Sequence, residues 1–270
     1  MARFLGCLFV CVAALACHGQ TSAIASTDIA PAPSMRFPSN WYPVDSEVTY
    51  TAAPQTHAPY AATLVTSMRY LDPATGKVKI TSRSTLQARD SAGRRRDETE
   101  SPRPDGHGGV TMVHEVSVSD PVSHCSFRWM EPWVAPGKPT SVVTCMPRTL
   151  HYNRQDLYAD MLVSETNEVY SGDRVDRLEP LGKRVLGDLV AVGIRHTTTN
   201  SQSGQTLKSV TELWYSPELK ELLEMKEIPD PTSAAAPSQT PDFELTQIER
   251  KEPDPALFYP PAEYVIAPGR

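Results

Sequence analysis

The chain has 270 residues, a formal net charge of −6, 40% hydrophobic residues, 7% aromatics and 25 prolines. A modestly acidic surface gives no reason to expect nucleic acid or an anionic membrane surface as partner. The low apolar content argues against a long, fully buried parallel sheet and fits an antiparallel β protein with one wet face.

Arg3 is the only charge before an apolar run from Phe4 to Ala16. Small residues follow, with Ala-x-Ala at Ala14-Leu15-Ala16 and again at Ala23-Ile24-Ala25. This is the layout of a secretory signal peptide over residues 1–25. A buried N-terminal strand or helix would not need the small-residue ending. The apolar run is about 13 residues, and crossing a bilayer takes about 20. The mature chain is therefore expected to have no transmembrane span and to work in the periplasm or outside the cell. Cys17 follows Ala14-Leu15-Ala16, which resembles a bacterial lipobox and makes Cys17 a candidate for lipidation. The lipobox usually has Leu where Ala14 stands, so cleavage near Ala23 or Ala25 is the leading expectation.

Residues 26–45 are rich in Ala, Pro and Ser and read as a flexible linker. One β-rich domain is expected over 46–266. Ala61 to Tyr70 reads as a strand, and Asp72-Pro-Ala-Thr-Gly76 as a turn, because Pro presets φ and Gly permits φ > 0. Lys77 to Arg89 places Val78 and Ile80 on one side. Asp90-Ser-Ala-Gly93 is a second turn and Arg94 to Thr99 a polar return strand. Arg94, Arg95 and Arg96 are answered at once by Asp97, Glu98 and Glu100, which a solvated strand or turn explains better than a phosphate site. Gly109 to Val118 then alternates, with Val110, Met112, His114, Val116 and Val118 in one register.

Leu157, Tyr158, Met161 and Leu162 are spaced for a short helix near 153–163. Strand signals resume at Gly182–Leu186, Leu189–Thr199, Thr206–Tyr215, Leu222–Glu227 and Phe243–Arg250. Gly187-Asp188 and Ser203-Gly204 punctuate them, and 229–241 reads as a mobile loop. Asp254-Pro255-Ala-Leu-Phe258 suits a single helical turn, with Asp254 as cap and Pro255 at its first position, tucking Leu257 and Phe258 under the sheet. The fold class expected is mainly β, a curved antiparallel sheet or unclosed β-barrel with one or two short helices.

Cys7, Cys11 and Cys17 lie in the leader or at its end, leaving Cys125 and Cys145. An even pair in an oxidising compartment is usually a disulfide. If the segments around Pro136-Gly137-Lys138-Pro139 form a hairpin, the two cysteines face each other across it. His114, His124 and His151 lack ligand spacing, so neither metal nor other cofactor is expected.

Arg89-Asp-Ser-Ala-Gly-Arg94, Leu213-Trp-Tyr-Ser-Pro-Glu-Leu219 and Glu252-Pro-Asp-Pro-Ala-Leu-Phe258, followed by Pro261 and Tyr264, resemble a family of secreted bacterial proteins with no assigned function. Leu181 to Gly193 is similar to that family's Leu-Gly-x-x-x-Ile-x-Gly-Val stretch and departs from it at Asp188. More distantly, the ending resembles the LolA/LolB-like lipoprotein-localisation carriers of the periplasm. That resemblance implies an unclosed antiparallel barrel with an apolar cavity for acyl chains. The long helical segments that plug the carriers' barrels have no counterpart here, and no cavity residue matches one for one.

No catalytic motif is present: there is no Gly-x-Ser-x-Gly, no His-Glu-x-x-His and no phosphate-binding Gly loop. His114 reads as a satisfied, half-buried strand residue, and Trp214 and Phe258 as core. Trp129 and Trp133 remain as candidate contacts for a ligand or partner, since aromatics bury large area at small entropic cost. The expectation is a non-catalytic envelope protein that binds an apolar ligand or acyl chain in a concave sheet. The alternative is a module that docks an envelope protein, and an envelope hydrolase is the minority reading. A deep cavity lined by Leu, Val and Met would favour the first; a filled core with an exposed aromatic patch would favour the second.

Overall fold

The computed structural model describes residues 54–146, 162–202, 205–229 and 241–269, with the backbone alone at 48–50, 150–152, 202 and 205. The leader, the linker at 26–45, most of the expected helix near 153–163, the expected turn at Ser203-Gly204 and most of the expected loop at 229–241 lie outside the described residues. Leu162 and Val163, the end of that expected helix, are not helical.

Thirteen strands form one unclosed, curved sheet. The first run comprises β2 (Tyr60–Leu71), β3 (Val78–Arg89), β4 (Arg95–Pro104), β5 (Val110–Asp120), β6 (Cys125–Glu131) and β7 (Thr140–Cys145). The second comprises β9 (Asn167–Ser171), β10 (Arg174–Leu186), β11 (Leu189–Gln202), β12 (Gln205–Ser216), β13 (Glu221–Glu227) and β14 (Asp242–Glu249). Each run is an antiparallel meander, and β14 pairs with β2 to join them. β15 (Val265–Pro268) adds in parallel to β7 at one edge, and β9 is the other edge. A separate parallel pair joins β1 (Val48–Tyr50) to β8 (Leu150–Tyr152).

The turns form through their own side chains. Asp72 accepts from the Ala74 amide at 3.0 Å and from Thr75 Oγ1 at 2.9 Å, while Gly76 takes φ +64°. Asp90 accepts from the Arg94 amide at 2.8 Å, and Gly93 takes φ +84°. A short polar side chain that caps its own turn competes well with continued strand, which is why both turns were legible. Cys125 pairs with Cys145 across β6 and β7, and the two form a disulfide.

One face of β3–β7 buries Ala88, Val116, Val118, Phe127, Trp129 and Val143 with the disulfide. The C-terminal segment covers it. Asp254 Oδ1 accepts from the Ala256 amide at 2.9 Å and caps a 3-10 turn, Pro255–Phe258. Phe258 is fully buried in the cluster, with Arg94 stacked over its ring and donating to Tyr259 Oη at 2.8 Å. Tyr264 donates to the Met130 carbonyl at 2.6 Å. Leu257 is not tucked under the sheet: it is 41% exposed, because a three-residue turn that buries Phe258 rotates its neighbour outward.

Arg94 also departs from expectation. It is buried beside Asp90, with Nε 2.5 Å from Oδ2, whereas a solvated strand had been expected there. His114, Val110 and Met112 do share the register of Val116 and Val118, but all three are exposed because the C-terminal cover ends before reaching them. Two further clusters hold the second meander. One joins Tyr60, Leu189, Ala191, Trp214, Leu219, Leu223 and Leu245; the other joins Ile194, Leu213, Tyr215 and Leu222. Among the described residues, no helix is long and apolar enough to cross a membrane.

Candidate functional site

The direction in which the sheet curls follows from one ion pair. Arg95 lies on β4 and Glu221 on β13, with β3, β2 and β14 between them. Strands about 4.8 Å apart would separate β4 from β13 by roughly 19 Å in a flat sheet. Arg95 Nη1 is instead 3.7 Å from Glu221 Oε2. Arg89 Nη1 reaches the same oxygen at 3.1 Å, and Tyr60 Oη donates to it at 3.3 Å. The face that carries Tyr60, Arg89 and Arg95 is therefore the concave one.

Arg89 and Tyr60 in this polar knot are buried and Glu221 is nearly so, while Arg95 stays partly exposed. Arg89 also donates to the carbonyls of Ala58 and Leu219 and stacks 4.8 Å from the Tyr60 ring centroid. Burial, reinforced by Glu221, pushes the Tyr60 phenol well above its ordinary range. Burial opposes the charge on Arg95, but Glu221, Tyr60 and Asp97 outweigh it, so its guanidinium stays protonated.

Antiparallel partners point to one face, so the register extends this concave surface strand by strand. Asp97 pairs with Ser117, Ser117 with Arg128, and Arg128 with Val142. In the next row, Thr99 pairs with Glu115 and Glu115 with Met130. Together with Arg83, Arg103, Thr140, Val116, Trp129 and Trp133, these residues line a cavity of about 500 Å³. That is large enough for a small ligand, since binding pockets typically run from about 300 to 1,000 Å³.

Both tryptophans singled out from sequence reach the cavity wall. Trp129 is held from the opposite core, with Arg96 stacked 5.3 Å from its ring centroid and its indole N–H donating to Glu131 Oε1 at 2.5 Å. Trp133 is half-buried and meets Tyr264 edge to face at 6.4 Å. Its buried indole N–H finds no acceptor among the described residues. Trp214 and Phe258 are core residues.

The cavity is not the greasy hollow expected. Three arginines and two carboxylates line it beside Met130, Val142 and Trp133, and no leucine does. Both carboxylates are already engaged. Glu115 Oε1 accepts from Ser101 Oγ at 2.6 Å and from Arg103 Nε at 2.7 Å, and these bonds hold its carboxyl below the usual range. Asp97 Oδ1 accepts from Gln87 Nε2 at 2.7 Å and from Arg95 Nε at 3.4 Å. Among the described residues, no carboxylate lies within ion-pair distance of Arg83 or Arg128.

Two other clusters lack catalytic geometry. His114 Nδ1 sits 2.9 Å from Glu98 Oε1, with no hydroxyl or thiol partner among the described residues. His196 Nε2 and Thr198 Oγ1 both bond Asp176 Oδ1, each at 2.8 Å. One ring nitrogen faces both the acid and the hydroxyl, so no proton relay runs through the imidazole. The hydrogen bond from Arg174, with those from Thr198 and His196, holds Asp176 far below the usual carboxylate range. Among the described residues, no group of three His, Cys, Asp or Glu side chains is arranged to hold a metal.

No protein-family model matches this chain, and no curated protein does.

Sequence reasoning missed Arg83, Arg128, Asp97 and Glu115. Arg128 alternates with Met130 on one strand, but the face these residues share follows only from the register of β3 through β7.

Proposed function

We propose that the protein is a non-catalytic binder or carrier of the periplasm or extracellular space that holds an apolar or amphipathic ligand in its concave cavity. The observation that carries this reading is the cavity of about 500 Å³ on the rolled face of an unclosed sheet, where Met130, Val142 and Trp133 stand beside Arg83, Arg103 and Arg128. Apolar surface of that kind gains roughly 25 cal/mol per Å² when a ligand displaces water from it. The secretory leader pattern and the disulfide fit an oxidising compartment, and the resemblance to the LolA/LolB-like carriers points to acyl chains as ligand. Arginine stems add apolar length to the wall while their heads stay wet.

Native mass spectrometry of protein purified from its own envelope tests this reading. A retained lipid-sized adduct supports it. A bare chain, together with failure to take up a decyl-chain ligand, would contradict it.

One observation favours a second reading, a protein-docking module. The edge strand β9 is exposed at all five positions, with Tyr170 70% exposed beside Val169. Such an edge accepts an added strand through its backbone groups.

A further inference from the structure

We propose, resting on the cavity-binding reading above, that Arg83 and Arg128 make the concave cavity selective for an amphiphile with an anionic head, carboxylate or phosphate. Its chain would lie against Met130, Val142 and Trp133.

The argument is one of unmatched charge. Arg83, Arg103 and Arg128 face the cavity against Asp97 and Glu115, an excess of one positive charge before any pairing is counted. Arg103 is consumed by Glu115, which also takes the Ser101 hydroxyl. Asp97 is consumed from the other side by Gln87 and Arg95. Arg83 and Arg128 form no ion pair or side-chain hydrogen bond with a carboxylate among the described residues, although Arg83 lies near enough to Glu115 to help hold its carboxyl low. This is unusual for the chain, since the other arginines on its described strands are all ion-paired: Arg69, Arg89, Arg95, Arg96, Arg103, Arg174, Arg177, Arg184 and Arg195.

The placement of the two free guanidinium groups suits an amphiphile. Arg128 alternates with Met130 on β6 and pairs directly with Val142 on β7, so one cation is set within the apolar part of the wall. A guanidinium fork matches the planar oxygens of a carboxylate or the face of a phosphate. The chain's overall charge of −6 would repel an anion at long range. At physiological salt that field fades beyond about 8 Å, and the local cations decide.

The test compares binding of decanoate, decyl phosphate, uncharged decanol and inorganic phosphate to the full chain, each below aggregation. The readout is tryptophan fluorescence or calorimetry. The same titrations are run on the R83Q/R128Q double variant. Both arginines are exposed and form no ion pair among the described residues, so the variant should keep its fold, which circular dichroism verifies.

Each anion contact in a half-open cavity is worth a few-fold, so the pair should give about tenfold. Wild type should bind decanoate and decyl phosphate about tenfold more tightly than decanol, with the preference lost in the variant and weakened by salt. Equal binding of decanol and the two anions would overturn the inference while leaving the cavity reading intact. Inorganic phosphate binding as tightly as decyl phosphate would overturn it as well, by removing any role for the chain. If no decyl compound binds, the cavity reading itself fails.

Discussion

Gly193 on β11 lies directly beneath the indole of Trp214 on β12, its cross-strand partner. A Cβ built at residue 193 would come within 2.6 Å of the ring carbon Cζ3 and 2.7 Å of Cη2. The indole ring packs on bare backbone at Gly193, and Arg184 stacks over it with its guanidinium carbon 3.9 Å from the ring centroid. Even a methyl group at 193 must displace backbone or ring, and overpacking a formed core costs about 1–3 kcal/mol. Gly193→Ala should lower the unfolding free energy by that amount, read as a lower urea midpoint at unchanged m, and shift the Trp214 fluorescence. An unchanged midpoint would show that the indole is free to move.

Cys125 and Cys145 tie the β6–β7 hairpin that carries Arg128, Met130 and Val142. Closing a loop of about 20 residues stabilises by about 3 kcal/mol in the chain-entropy model. The double Ser variant should lose that stability in denaturant titration, and wild type should match it under reductant. Mass mapping of non-reduced peptides should link the two residues.

Glu221 collects Arg89, Arg95 and Tyr60, and two of these partners sit on strands far from β13 in the sheet. Removing one member of a buried ion pair strands the remaining charge and costs about 3–5 kcal/mol. Glu221→Gln should therefore be among the most destabilising surface-distant changes in the chain. A cost below about 1 kcal/mol would mean the pair is solvated.

Acid should destabilise the protein. Asp176, Glu115 and Asp72 all have carboxyls held below their ordinary values, Asp176 chiefly by Arg174, Glu115 by Ser101 and Arg103, and Asp72 by Lys79. A depressed folded value means that the unfolded chain binds protons more readily, so the contribution is full above the unfolded carboxylate range and is lost as pH falls through the folded values. Urea midpoints should be flat from neutrality down to about pH 5 and drop below about pH 4. Asp176→Asn should flatten that drop. A midpoint that holds steady to pH 2 would contradict this.

The parts of the fold visible in the sequence were those with a local cause. Asp72 and Asp90 cap their own turns, Asp254 and Pro255 start the final turn, and Cys125 opposite Cys145 sets a hairpin register. β9 and the first half of β10 were not visible, because Glu168, Val169, Tyr170, Arg174 and Asp176 show no apolar alternation. They are held instead by cross-strand pairs such as Asp176 with Thr198 and His196. The cavity was hidden for a different reason. Arg83 and Arg128 read as the wet face of ordinary strands, and only the roll that brings Arg95 to Glu221 turns that face inward.

Blocking the cavity tests the account most directly. Ser117 sits between Asp97 and Arg128 on the concave face, and Ser117→Trp would fill the space in front of Met130 and Val142 without touching the core behind. Native mass spectra of both proteins, purified from the same envelope, should show a retained amphiphile on wild type and none on the folded variant. Equal retention by both, or none by either, would contradict a ligand held in this cavity.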